Sequence, residues 1–550
     1  MTPNSRERKI REAHPLPNRL ATIAEESTRG GFSLFIGNAS ATFINALAAI
    51  IVARLLGPAN YGLYSLSLVI PYLAVAIIDV GLSPALTRYS AKLRSEERGS
   101  EVEIMLRSVF IFKVLLAALA LIFVVLLSEP LAATGLSRPG MAEYVRLASL
   151  LIAFQAIATA ASAALIGLDK TRDASIIMTA QSASRGLVSP ILVLIGMSVT
   201  GAILGNVIGF AVGAGLGLLA LFIMRQSLSM NSKSSAMGYV ESLRVAARYG
   251  LPLYLTALLT MVLVQYQNLV LAHNVSDVEI GNFNAAVNFS AVVNLVAFPI
   301  ATVLFPAFSK INPYSENDDL KRMFQMSVRY GSLLLIPASM IVAVLSKDLV
   351  FTIYGGSFGT APLYLSIYIT IFLLICLGYL ILVSLFNGIG ETGETLKITV
   401  VTAALFLPMA PVMAQAYHVV GLIVALLASN LAGAAYGLYK ARMKFHLNLD
   451  LNSSLRIYLA SAISILPTLL LLSAVNLPSL LNIAIGGFTY LASYLTFAPL
   501  IGAVKRSDID NLSQILSKIK IVNPIVKPII IYENRILTAL ESATAKRLQE

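Results

Sequence analysis

Arg185 lies in MTAQSASRGLVSP, with Gln181 and Ser189 four residues to either side and Ser182 close by. On a helix this spacing makes one polar stripe, and a stripe on an apolar helix faces water or a partner rather than lipid. A guanidinium there suits phosphate, because its planar fork matches phosphate oxygens two at a time. The competing reading is an internal ion pair or carbonyl clamp. Some reason is required, since a central Arg or Lys costs about 2.5 to 3.5 kcal/mol on insertion scales.

Three more charged residues lie inside apolar stretches. Asp79 and Lys113 fall at similar depth, about six residues from the ends of adjacent stretches, and are expected to neutralise each other as a structural pair; a role in gating or ion coupling is the alternative. Arg54 can anchor a turn or guard the outer mouth of a lumen. Amides recur at helical spacing: Gln265 and Asn268 at i, i+3, Asn284 and Asn288 at i, i+4, then Asn294. Such amides can contact sugar hydroxyls or join helices, the latter contributing about 0.6 kcal/mol per bond.

Other chemistries find no residues. The four histidines, His14, His273, His418 and His446, are scattered, with no HExxH and no ligand cluster, so neither a metal nor another cofactor is expected. There is no GxxxxGK[ST] phosphate loop. The single cysteine, Cys376, reads as packing within a span. Asn274-Val275-Ser276 is the one Asn-x-Ser/Thr in a predicted exterior loop. The longest exterior gap, about residues 129 to 145, has only Glu129 and Glu143 as acids, which leaves a bond-breaking enzyme without a base or a metal site. No catalytic residue is assigned.

What positions these residues is a set of about fourteen apolar spans. They cover residues 32–56, 63–85, 107–128, 146–168, 174–195, 200–224, 251–272, 281–308, 330–352, 363–387, 396–415, 417–439, 456–475 and 481–502. Roughly 34 of the 40 Lys and Arg fall at the two termini and in even-numbered gaps, against roughly three (Arg138, Arg146, Lys347) in odd gaps. Even gaps and both termini are therefore expected in the cytoplasm. At 57% hydrophobic and 12% charged residues, with a mean hydropathy of +0.80, the chain is a multi-pass protein of the cell (cytoplasmic) membrane. Its net charge of +12 holds topology and meets anionic lipid rather than nucleic acid. The first thirty residues carry six positive charges and no apolar run, so span 1 is expected to direct insertion without a cleaved signal.

The chain also repeats itself. ARLLGPANYGLYSLS (Ala53 to Ser67) aligns without a gap on AHNVSDVEIGNFNAA (Ala272 to Ala286), pairing Arg54 with His273, Gly62 with Gly281 and Tyr64 with Phe283. LSPALTR (Leu82 to Arg88) matches LFPAFSK (Leu304 to Lys310) at nearly the same offset. Six spans separate the copies, an even number, so the halves share one orientation, as in transporters built from parallel repeats. The expected fold is all-α: an N-terminal segment 1–30, an N-lobe 31–225, a linker 226–250, a C-lobe 251–440, two extra helices within 441–504 and a tail 505–550.

With IIDVGLSPALTRYSAK (Ile77 to Lys92), SLFNGIGETGETLKI (Ser384 to Ile398) and SDIDNL (Ser507 to Leu512), these strings resemble the polysaccharide-biosynthesis flippases, of the superfamily that also holds MATE multidrug exporters and peptidoglycan-precursor flippases. The resemblance runs along the whole chain. It implies a MATE-like, V-shaped pair of six-helix bundles that carries a polyprenyl-linked oligosaccharide across the membrane by alternating access. Where many relatives have an acid in span 7, this chain reads VQYQNLVLAH (Val264 to His273), so no role of that acid transfers. A lipid phosphate must cross about 30 Å of hydrocarbon, so such a protein needs a cationic or hydrogen-bonding lumen.

On that basis the substrate-binding candidates are Arg185, Gln181, Ser189, Arg54, Asn284, Asn288, Gln265 and Asn268, with Asp79 and Lys113 as a structural pair. Prolines 190, 252, 299, 306, 337, 408, 411 and 467, and the glycines of span 6 from Gly201 to Gly217, suit helices that bend and pack closely. In the tail, Ile509, Leu512, Ile515, Leu516 and Ile519 share one face near Lys518 and Lys520, the pattern of a helix lying on anionic lipid or docking a glycosyltransferase or polymerase partner. The alternatives are a MATE-like exporter of small cations, a non-transporting scaffold for envelope assembly, and, third, a membrane glycosyltransferase.

Overall fold

The structure, a computed structural model, describes residues 16–96, 98–228, 238–290, 292–293, 304, 307–474, 477–510, 527–528, 530–539 and 542. Every regular element among them is helical. Apolar segments of this length fold so because hydrocarbon offers the backbone no other hydrogen-bond partner.

Among the described residues, nine helical stretches are long and apolar enough to cross a membrane, and the pair Ala361–Leu377 and Ile381–Gly388, bent by 46°, makes a tenth. Three stretches hold two predicted spans each. Ser33–Asp79 breaks at Gly57 (φ 71), Thr171–Met224 at Gly196 (φ 98) and Ser198 (φ 46), and Thr392–Phe445 at Tyr417 and His418 (φ 53). Thirteen of the fourteen predicted spans thus have a helix; the eighth starts as Asp277–Phe289 and runs into residues 291 and 294–303, outside the described residues. Asn294, Pro299, Pro306, most of the LFPAFSK motif's start, and tail residues 511–526 with Leu512, Ile515, Leu516, Lys518, Ile519 and Lys520 lie outside them too.

By their contacts the residues form two compact units. One comprises Met1–Val52 and Ser67–Met261; the other comprises Ala53–Leu66 and Val262–Glu550. In the first, spans 5 and 6 approach closely through small residues. A Cβ at Gly205 would overlap Ser189, one at Gly209 would lie 2.8 Å from the Cβ of Arg185, and one at Gly213 would overlap the Gln181 amide. The polar stripe of span 5 therefore lies along a Gly-xxx-Gly-xxx-Gly row of span 6, which lets the two backbones approach closely. Gly186 meets Ile44 and Ala48 of span 1 in the same way.

In the second unit, span 8 begins with a capping box: the Glu279 amide donates to Ser276 Oγ at 3.4 Å, and the Ser276 amide donates to Glu279 Oε2 at 3.2 Å. Spans 9 and 13 and the start of the tail meet at Arg329. Its guanidinium donates to both oxygens of Asp508, at 2.7 to 3.2 Å, to Ser453 Oγ at 2.5 Å and to the Ala503 carbonyl at 2.9 Å. Lys444 joins Glu391 and Glu394, each at 3.0 Å, across the GETGET motif.

Candidate functional site

A polar cluster inside the first unit forms where span 2 breaks. The helix Val69–Asp79 ends at Val80 (φ 45) and Gly81 (φ 73), and the next helix, Leu82–Ser95, resumes at once. Gly81 is required here twice over, by its left-handed backbone and because a Cβ would collide with the backbone of Gly250. A break leaves carbonyls without helical partners. The Tyr254 hydroxyl, from the first half of span 7, lies 2.8 Å from both the Ala76 and the Ile77 carbonyls.

The break carries Asp79. Lys113 of span 3, 1% exposed, donates to Asp79 Oδ1 at 2.5 Å, to Ser83 Oγ at 2.8 Å and to Thr159 Oγ1 at 3.2 Å. Three bonds satisfy all three ammonium protons. Ser83 in turn donates to Asp79 Oδ1 at 2.6 Å, so that oxygen is shared while Oδ2 has no protein partner among the described residues. Asp79 also lines a cavity of about 540 Å³ between spans 2, 4, 5, 6 and 7, with Thr159, Ser162, Gln181, Phe210 and Tyr254 on its walls.

The other candidates divide. Gln181 faces this cavity. Arg185, one turn further along, donates to Asn206 Oδ1 at 3.3 Å and has no carboxylate partner among the described residues. Ser189 is buried and donates to the Ala202 carbonyl at 3.4 Å. In the second unit, Asn284 bonds Asn268 Oδ1 at 3.3 Å, Asn288 bonds the Tyr61 hydroxyl at 2.5 Å, and Gln265 is buried. Arg54 donates to the Thr352 and Ile353 carbonyls at 3.5 Å, at the end of the helix Ser346–Ile353. No group of three or more His, Cys, Asp or Glu among the described residues could hold a metal ion. Cys376 pairs with the Tyr458 hydroxyl at 3.1 Å.

Ser83, Thr159, Tyr254, Asn206 and Arg329 were not singled out in the sequence. Ser83 was readable as a neighbour, four residues from Asp79 within one predicted span, although the break at Val80 and Gly81 puts the two on separate helices. The others come from different spans and only the packing brings them in.

Two family descriptions cover the chain. The family described as polysaccharide biosynthesis protein matches residues 27–312, and that of lipid II flippase MurJ matches residues 180–494, each more than half of the sequence. The chain belongs to the polysaccharide-biosynthesis flippase family. No curated protein sequence matches it. Among solved structures, this family member superposes on a lipid II flippase MurJ in an inward closed conformation with a TM-score of 0.69, at 16% identity over 86% of this chain and 98% of that one. It superposes on an inward-facing MATE multidrug transporter of the MOP superfamily with 0.62, at 18% identity over 74% and 94%. A MOP superfamily transporter from Pyrococcus furiosus gives 0.54, at 18% over 76% and 95%. At such identities the likeness is one of fold. The polysaccharide-biosynthesis family member is thus a MATE-like, all-helical multi-pass membrane protein.

Proposed function

We propose that this protein flips a polyprenyl-phosphate-linked oligosaccharide from the cytoplasmic to the outer leaflet by alternating access, for surface polysaccharide or glycoprotein synthesis. Both termini lie in the cytoplasm, as the positive residues distribute. One observation carries the reading: Arg185 is a cation inside the membrane whose one side-chain partner among the described residues is a neutral amide, Asn206. An internal ion pair would supply a carboxylate, as Asp79 does for Lys113. A guanidinium without one suits an anionic ligand that comes and goes, and a lipid phosphate meets its two-pronged geometry. Insertion of such a residue costs about 2.5 to 3.5 kcal/mol, which binding of a phosphate can offset.

Gly62 and Gly281 let the helix starts at Pro58 and Asp277 meet in backbone contact, which supports the alternating-access part, since helices so packed separate or stay together as units. The amides Asn268, Asn284 and Asn288 are engaged with other protein groups, so their role in this reading is to join helices. Glycosyltransferases or a polymerase that make and consume the sugar-lipid are the partners that this function calls for. The test is reconstitution into proteoliposomes with a fluorescent polyprenyl-diphosphate oligosaccharide. Headgroup arriving on the far leaflet at a rate that depends on the protein supports the reading. Export of organic cations with no movement of sugar-lipid replaces it by the MATE-like one, and movement of neither leaves a scaffold.

A further inference from the structure

The cavity beside the broken span 2 is walled mainly by apolar side chains, with a few polar groups set among them, the usual make-up of a small-ligand pocket. Three of its side chains present hydrogen-bonding groups without protein partners among the described residues: Asp79 Oδ2, the Ser162 hydroxyl and the Gln181 amide. Unfilled groups of this kind in an apolar unit cost roughly 1 to 3 kcal/mol each unless water or a ligand meets them. The net charge of the wall is near neutral, because Lys113 balances Asp79 at 2.5 Å. Two aromatic residues, Phe210 and Tyr254, lie among the aliphatic side chains of the wall. A carboxylate oxygen, a hydroxyl and an amide for hydroxyl groups, with ring surface for the apolar C–H faces, is the complement of a neutral sugar ring. A volume of about 540 Å³ admits one or two such rings.

Position adds to this. Gln181 and Arg185 are four residues apart on one face of span 5, about 6 Å along the helix. A phosphate held at Arg185 would place the sugar bonded to it at the level of Gln181.

We infer that this cavity is a carbohydrate subsite that takes the phosphate-proximal sugar of the lipid-linked substrate, with Asp79, Ser162 and Gln181 contacting its hydroxyls. This rests on the flippase reading above and deepens it. Lys113 is then a positioning residue: it orients the Asp79 carboxylate by occupying Oδ1, leaving Oδ2 to the ligand. The break at Val80 and Gly81 matters for the same reason, since it sets Asp79 at a helix end beside the cavity.

Two experiments test the subsite. In the first, Ser162→Cys is placed in a Cys376→Ser background, which leaves it as the sole thiol, and its alkylation by N-ethylmaleimide is timed in the full-length purified protein. Methyl glycosides of glucose, galactose and N-acetylglucosamine serve as probes, with tetraphenylphosphonium as the cationic control. At least one glycoside should slow alkylation, about tenfold at a concentration near ten times its Kd. Equal rates with every glycoside, protection by tetraphenylphosphonium alone, or a thiol that the reagent never reaches each overturn the proposal.

In the second, Ala158→Phe fills the cavity from span 4, and flipping is compared for sugar-bearing and sugar-free polyprenyl phosphate. The sugar-bearing lipid should slow at least about tenfold while the sugar-free lipid keeps its rate, a pattern that general misfolding does not give. Equal rates of sugar-lipid movement by wild type and Ala158→Phe remove the subsite and leave the flippase reading standing. If the wild type moves no sugar-lipid at all, the flippase reading itself fails. Should Ala158→Phe not fold, the alkylation result decides.

Discussion

Gly62 and Gly281, equivalent positions in the internal repeat, make reciprocal contacts: a Cβ on Gly62 would overlap the carbonyl oxygen of Asp277, and one on Gly281 would overlap that of Pro58. Pro58 and Asp277 are themselves equivalent in the alignment. The duplicated turn therefore packs against its own copy, each copy of the repeat resting its glycine on the other's helix start.

From this contact follows the first expectation. Gly281→Val should push the two turns apart and destabilise the protein by about 1 to 3 kcal/mol, the usual cost of overpacking. Gly62→Val should do the same, and the pair together should cost less than the sum because the first change already opens the contact. Thermal unfolding in detergent measures it. Melting temperatures equal to wild type for both single variants would show that the helices do not meet there.

Asp79 and Lys113 form the second. Removing either partner strands the other's charge, Lys113 in a buried position and Asp79 in a half-buried one, so Asp79→Asn and Lys113→Met should each lower folded yield, Asp79→Asn the more, by an amount on the order of 3 to 5 kcal/mol in stability. The double substitution should recover part of the loss. Strictly additive losses would mean that the two do not interact.

For Arg185, Ala should abolish sugar-lipid flipping while the protein still reaches the membrane, and Lys should keep partial activity because it retains charge without the fork. Proteoliposomes with equal amounts of each variant give the comparison. Flipping by Arg185→Ala at the wild-type rate removes the phosphate role, and poor folding of that variant rescued by neutralising a nearby acid makes Arg185 structural.

Topology is open to a direct check. A reporter fused after Ser346 should read as exterior and one after Asn317 as cytoplasmic, from the partition of positive residues. The opposite result at either site breaks the fourteen-span map.

The last expectation concerns pH and the tail. Residues 530–539 are helical, and Tyr532 and Thr496 share a hydrogen bond at 2.8 Å, which ties this helix to the last span. Glu533 is buried on it, and burial together with the nearby Asp508 pushes its carboxyl up to about 7. A carboxyl with a raised folded value docks in its neutral form. The stabilisation is full below its free value near 4.5 and is lost as pH rises through about 7. Hydrogen exchange of the helix should thus quicken between pH 6 and pH 8 beyond the intrinsic change, and Glu533→Gln should flatten that response. An unchanged profile in Glu533→Gln assigns the effect to another group.

The sequence determined the membrane character, the helical fold and the repeat, and it did so for physical reasons that are local. Apolar length specifies a span, hydrocarbon enforces helix, and equivalent turns such as Gly57-Pro58 and Ser276-Asp277 keep their register in the one-dimensional string. It also marked Arg185, Asp79 and Lys113, because a charge inside an apolar run is conspicuous at any register. What only the tertiary structure decided is who meets whom. Ser83 and Thr159 complete the Lys113 ammonium, Tyr254 closes the carbonyls of a broken span 2, and Arg329 holds Asp508 across 179 residues of sequence. Helical periodicity gives the face a residue occupies on its own helix. Which helix lies against that face depends on the packing of all the others, and the glycine row of span 6 against the stripe of span 5 could be found only once that packing was in place.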